Sequence, residues 1–133
     1  MEMQNSNCPC GRTKLYQICC GAIHNNKKEA LTAEDLMRSR YVAFVKGDGA
    51  YLHKSHHSTK RPSNKESQEI EKWAKSVGWI KLEVFNTSKG LEKDTTGTVA
   101  FKAYFFENGK VEVINENSFF KKENNSWLYV GSI

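Results

Sequence analysis

Gly97-Thr98-Val99-Ala100-Phe101-Lys102-Ala103-Tyr104-Phe105-Phe106-Glu107, followed by Asn108-Gly109, is the stretch that decides the fold. Its apolar side chains alternate, so Val99, Phe101, Ala103 and Phe105 share one face of a long strand. Asn108-Gly109 predicts a tight hairpin, because both residues tolerate the positive φ that a two-residue turn requires. Lys110 to Lys122 then returns antiparallel, Glu123-Asn124-Asn125 turns again, and Trp127 to Ile133 closes the sheet. On the other side, Trp79 to Ser88 reads as a strand joined to the first by a polar loop from Lys89 to Thr96.

Upstream of Gly78 the period is helical. Thr32 predicts an N-cap, with Glu34 and Asp35 in the first turn where the helix dipole favours carboxylates. Leu36, Met37, Tyr41, Phe44 and Val45 form a buried stripe, and Gly47-Asp48-Gly49 ends the helix. A short helix from Ala50 to His53 follows. Ser58 to Asn64, with Pro62, is a loop, and Lys65 to Ser76 forms a third helix turning Ile70, Trp73, Ala74 and Val77 inward. Helices first and a strand meander afterwards predict an α+β fold, with three helices packed on one face of a curved antiparallel sheet. Such a sheet makes a cone with a mouth.

All four cysteines lie in Cys8-Pro9-Cys10-Gly11-Arg12-Thr13-Lys14-Leu15-Tyr16-Gln17-Ile18-Cys19-Cys20-Gly21. Four thiolates in so short a span suit a tetrahedral zinc ion and leave no open coordination position, so Cys8, Cys10, Cys19 and Cys20 predict a structural site. Arg12 and Lys14 offset the net charge of about −2 that four thiolates and one zinc ion carry. Disulfides are disfavoured. The polar stretch Met1 to Asn7 resembles no signal peptide, and the adjacent Cys19 and Cys20 pair poorly with each other. His24 reads as an ordinary exposed histidine.

At 133 residues the chain holds one core-bearing domain, with the cysteine hook as an appendage. No apolar run reaches the length of a membrane span, and thiols gathered at a metal site point to a reducing cytoplasm. The net charge of +5 is spread over Lys27-Lys28, Lys60-Arg61, Lys72, Lys75 and Lys121-Lys122. No stripe of basic and aromatic residues emerges, so nucleic acid is not the expected partner. The aromatics Phe105, Phe106, Phe119 and Phe120 exceed what one sheet face buries, which predicts a homodimer.

Cys-x-Cys-x8-Cys followed at once by Cys, with Gly21 behind, resembles the SEC-C motif of the SecA preprotein translocase. That resemblance implies zinc and docking on a protein surface such as a chaperone, a translocase or the ribosome. Further stretches resemble the YchJ family, which joins a SEC-C hook to a nuclear transport factor 2-like domain. They include Leu36-Met37-Arg38-Ser39-Arg40-Tyr41, Tyr51-Leu52 with Ser55 and His56, Gly97-Thr98-Val99, Glu116 with Ser118 and Phe119, and Trp127-Leu128-Tyr129. Asn115 and Ser55 depart from that family's usual His and Thr. The implied organisation is a disordered segment over 1–7, the hook over 8–24 and the cone over 31–133.

Enzymes of the cone fold, such as ketosteroid isomerase, place acids, histidines and tyrosines in the mouth. The corresponding pocket candidates are Arg40, Tyr41, His56, Trp79, Tyr104, Glu116 and Trp127. His56 and Glu116 are the candidate acid–base pair. Against catalysis stands a structural reading, in which Arg38 or Arg40 clamps Glu116 between helix and sheet and the tryptophans fill the mouth. The expectation is a zinc-stapled binding module whose cone takes a small ligand or partner. The alternative is an isomerase-type enzyme. His53, His56 and His57 show no sign of converging on a second metal.

Overall fold

The computed structural model describes residues 5–133, and the helix boundaries follow from capping chemistry. Within the hook, a 3₁₀ turn at Tyr16–Ile18 leads into α1 (Cys20–His24), two elements too short for periodicity to announce. α2 (Ala33–Lys46) starts where Thr32 Oγ1 accepts from the Asp35 amide at 3.0 Å, and stops at Gly47, whose φ is 69°. α3 (Gly49–Lys54) is capped by Asp48 and runs one residue further at each end than expected. α4 (Asn64–Ser76) opens on a capping box in which Ser63 and Glu66 satisfy each other's backbone amides.

Four strands follow in a plain meander: β1 (Gly78–Lys89), β2 (Thr96–Glu107), β3 (Lys110–Glu123) and β4 (Ser126–Ser132), paired antiparallel in that order. Asn108 and Gly109 both take positive φ, 53° and 78°, as the hairpin requires. Register assigns the faces. Leu82 pairs Ala103, Val84 pairs Phe101, and Phe101, Val99 and Ala103 pair Glu116, Ser118 and Ile114 on the face covered by α2. Lys102, Tyr104 and Phe106, with their partners Asn115, Val113 and Val111, lie on the opposite face. Bulges at Ile80 and Phe85 in β1, and at Val130 in β4 opposite Phe119 and Phe120, bend the sheet around α2.

The core is continuous from hook to sheet. Cys8, Cys10, Tyr16, Cys19 and Cys20 belong to the same buried cluster as Leu36, Met37, Val42, Val99, Phe120 and Trp127. This corrects the expectation of an appendage. The hook is built into the cone because α1 packs on α2, and because polar groups of α2 grip the hook's backbone and side chains. The expected disorder over 1–7 is corrected at its end too: Ser6 O accepts from the Tyr16 amide and Asn7 bridges Leu15. Residues 1–4 lie outside the described residues.

The β1–β2 loop is pinned where two glycines touch. A Cβ on Gly97 would stand 2.4 Å from Gly90 Cα, while Gly90 O accepts from the Ala33 amide that opens α2. Gly97→Ala is therefore expected to cost about 1–3 kcal/mol, because backbone must move. A urea midpoint unchanged from wild type would refute this.

Candidate metal centre and cone pocket

The hook brings its four sulfurs together. One ligand atom from each of Cys8, Cys10, Cys19 and Cys20 lies within 4.8 Å of all the others, with Cys10 Sγ and Cys19 Sγ 3.7 Å apart. All four side chains are buried thiols outside any disulfide. Local backbone explains the convergence: Cys8 N donates to Lys14 O, Gly11 takes a φ of 95°, and the 3₁₀ turn delivers Cys19 and Cys20 to the start of α1. Thiol donors at Cys20 and Cys8 pull Cys10 down to about 2, while the same bonds push Cys8 up to about 11 and raise Cys20. A buried group of four convergent soft donors fits a divalent cation.

Two arginines flank the cluster. Arg38 Nη1 donates to Cys10 O at 2.5 Å while its Nε meets Glu34 at 2.8 Å. Arg12 pairs Asp35 at 2.7 Å, so these arginines tie the hook to the first turns of α2. His24 is not the exposed residue expected from sequence. Its Nε2 donates to Ser39 O at 2.8 Å, which makes Nδ1 the acceptor for Tyr16 OH at 2.7 Å, and Lys46 Nζ donates in turn to that hydroxyl. Burial holds its pKa below the usual value. A lone histidine four residues after Cys20 gave no clue to this role beyond its helical spacing.

The second site is a cavity of about 300 Å³ inside the cone, lined by Met37, Arg40, Tyr41, Phe44, His56, Trp79, Phe101, Ile114, Glu116, Ser118 and Tyr129 among others. It brings together five of the expected pocket residues: Arg40, Tyr41, His56, Trp79 and Glu116. Tyr104 is corrected: it sits on the outer face, its hydroxyl donating to Glu83 at 2.9 Å, because it alternates with Ala103 and Phe105. Trp127 is corrected as well. It faces inward but at the far end of the sheet, where its Nε1 donates to Leu31 O at 3.2 Å and its ring lines a different cleft.

Glu116 is not clamped by an arginine. Its Oε2 accepts from Tyr129 OH at 2.7 Å and from Ser118 Oγ, and among the described residues Oε1 has no hydrogen bond. Arg38 is spent on the hook. Arg40 is buried, with Nη1 donating to Leu52 O at 2.9 Å and to Ser55 Oγ, and its Cζ lies 4.5 Å from the centre of the Tyr129 ring. Arg40 Nη2 reaches His56 Nε2 at 3.4 Å, and a guanidinium only donates. The His56 proton is therefore on Nδ1, which is buried and has no partner among the described residues. Tyr129 and Ser118, missed in the sequence, were recoverable. Ser118 is two residues from Glu116 on one strand face, and Tyr129 follows from the pairing with Phe120.

Burial, with the Arg40 charge next, lowers His56 to about 4 from the usual 6.5. Its folded pKa lies below its unfolded one, so the unfolded chain takes the proton first and stability falls with pH across that window. A His56→Asn variant is expected to lose this slope: its stability relative to wild type should rise as pH drops from 6.5 towards 4 and stay level above it. Parallel denaturation curves at every pH would contradict this. The other histidines go elsewhere, His53 Nδ1 to Ser67 Oγ and His57 Nδ1 to Thr59 Oγ1.

Comparison with known proteins agrees with this architecture. The family model for the YchJ middle NTF2-like domain matches residues 32–132. The UPF0225 protein of Vibrio parahaemolyticus serotype O3:K6 is 42% identical over 127 residues, spanning 94% of this chain and 73% of its own length. A UPF0225 protein of Streptomyces coelicolor is 39% identical, covering 96% of this chain and 94% of itself. A SEC-C motif containing protein from Psychrobacter arcticus superposes with a TM-score of 0.83 at 31% identity, over 100% of this chain and 86% of the other. The solution structure of a SEC-C motif containing protein from Rhodopseudomonas palustris gives 0.82 at 29%, over 96% and 97%. With its cysteine hook sealed into an α+β cone, this chain belongs to the YchJ-like UPF0225 family, which joins a SEC-C motif to an NTF2-like domain.

Proposed function

We propose that this protein is a zinc-stapled binding module of the cytoplasm, whose cone receives a small, largely apolar molecule and whose hook docks on a protein surface. The observation that carries the reading is the cavity: about 300 Å³, walled by Met37, Phe44, Trp79, Phe101 and Ile114, with polar atoms concentrated at Arg40, His56 and Glu116. Apolar walls with a few placed polar groups are the usual form of a small-molecule site. Four closed thiolates support zinc as a structural ion rather than a catalyst. The hook's outer surface offers Ile18 and Leu15, both exposed, next to Lys14, a combination suited to an acidic, partly apolar partner. Elemental analysis with thiol titration tests the first part. One zinc per chain, with thiols protected until a chelator is added, is expected; four reactive thiols and no metal would refute it.

A second reading has one observation in its favour. Glu116 lines the cavity, and among the described residues its Oε1 has no hydrogen bond and no arginine makes an ion pair with the carboxylate, so Glu116 can act as a general base on an enolisable substrate. His56 serves poorly as its partner, since its Nε2 lone pair is engaged by Arg40 and its basicity is depressed. Proton exchange into a cyclic ketone, lost on Glu116→Gln, would favour this reading; exchange at the buffer rate would dismiss it. A homodimer would use the outer sheet face, where Phe85, Phe106, Val111 and Val113 are exposed while Phe105 and Phe120 are absorbed by the core. Sedimentation showing monomer alone at high concentration would exclude it.

A further inference from the structure

Arg40 is 8% exposed and carries its charge into a mostly apolar cavity, yet it makes no ion pair among the described residues. Its protein acceptors are neutral: a carbonyl, a hydroxyl and an imidazole nitrogen. Removing a cation from water without a counter-charge is costly, and burial depresses the Arg40 pKa to about 10. A guanidinium has five N–H groups. Both on Nη1 are used, whereas among the described residues Nε has no acceptor and Nη2 has only the 3.4 Å contact to His56. The Nε–Nη2 edge presents two parallel N–H groups, the geometry that grips a carboxylate at two points. Tyr129 and Ser55 hold the guanidinium in place from other sides. Glu116 cannot supply the missing charge at contact, because Tyr129 OH and Ser118 Oγ anchor it beyond the stacked Tyr129 ring.

The geometry points to a ligand class: a small carboxylic acid with an aromatic or branched apolar body, its carboxylate bound two-pronged on the Nε–Nη2 edge of Arg40 and its body lying among Phe44, Trp79, Phe101 and Ile114. This rests on the reading of the cone as a ligand pocket and adds the charged end. A cavity near the lower end of the usual 300–1,000 Å³ range holds a molecule of this size rather than a sterol or a long acyl chain. The polar end is selective, because an isosteric amide would place an NH2 against one of the two N–H groups.

The test uses the whole 133-residue chain and three probes that share a phenylalkyl body, 3-phenylpropanoate, its isosteric amide 3-phenylpropanamide, and 3-phenylpropylamine, titrated calorimetrically at pH 7. The carboxylate is expected to bind at least tenfold more tightly than the amide, and the amine more weakly still. Equal binding of carboxylate and amide would leave the pocket standing and overturn the carboxylate assignment. Preference for the amine would make Glu116 the anchor and overturn it too. No binding by any probe at millimolar concentration would overturn both the assignment and the pocket. Arg40→Lys keeps the charge but loses the fork, and is expected to erase about tenfold of the preference. If that variant does not fold, Glu116→Gln decides. Removing the nearby negative charge should tighten the carboxylate several-fold and leave the amide unchanged, whereas unchanged or weaker carboxylate binding would refute the proposal.

Discussion

Replacing Cys10 with serine is expected to destabilise the whole chain, by about 4 kcal/mol or more, rather than loosen a tail. The expectation comes from two facts. Metal held only by the folded state contributes its binding free energy to folding, on the order of 10 kcal/mol for small zinc modules. The cysteines also share one buried cluster with Leu36, Met37, Phe120 and Trp127, so the hook cannot open without exposing the cone's core. Since domains of this size are stable by only about 5–15 kcal/mol, Cys10→Ser should leave little folded protein at 37 °C. Urea denaturation followed at the sheet tryptophans reads this directly. A transition at the wild-type midpoint would mean that hook and cone fold independently. Chelation of the wild-type protein should give the same shift, reversed by added zinc.

Trp127→Ala has the second largest expected effect, a loss of about 3–5 kcal/mol. The ring is 2% exposed, packs in the main core and donates to Leu31 O on the connector ahead of α2. Removing it opens a void between the start of β4 and that connector. Its place outside the cavity makes a second outcome checkable. At a temperature where the variant stays folded, binding of a cavity ligand should be unchanged, whereas weakened binding at equal folded fraction would return Trp127 to the pocket.

Trp127 also marks the boundary of what the residues alone disclose. Alternation states which face of a strand a side chain occupies; how far along the cone axis Trp127 lies depends on register with β3. Tyr104 is the opposite case. Its parity against Ala103 and Phe105 already directed it outward, and a pocket role contradicted the same period that identified the strand. The hairpin at Asn108-Gly109 and the start at Thr32 were legible because a turn and a cap each need specific chemistry at specific positions. Arg38 and Arg40 were not assignable. Two positions apart on a helix they point to different sides, one to Cys10 O and the other to Ser55, and only the packing of α2 reveals which. The cysteine spacing disclosed a cluster of four thiols able to hold a metal, but not that Tyr16 and His24 join it to α2 through Ser39 O and Lys46.

The bulges in β1 have a meaning beyond curvature. Among the described residues the strand order leaves one side of β1 unpaired, while β4 is flanked by the loop whose His57 amide donates to Tyr129 O and whose Ser55 O accepts from the Tyr129 amide. An open edge is a template for any other extended chain, and long regular edges invite runaway assembly. β1 breaks its own rhythm twice, at Ile80 and Phe85, and carries Lys81 and Lys89 along the strand. A foreign strand can match it for only a few residues before losing register. The irregularity that shapes the cone thus also makes this edge a poor template for a strand from another copy.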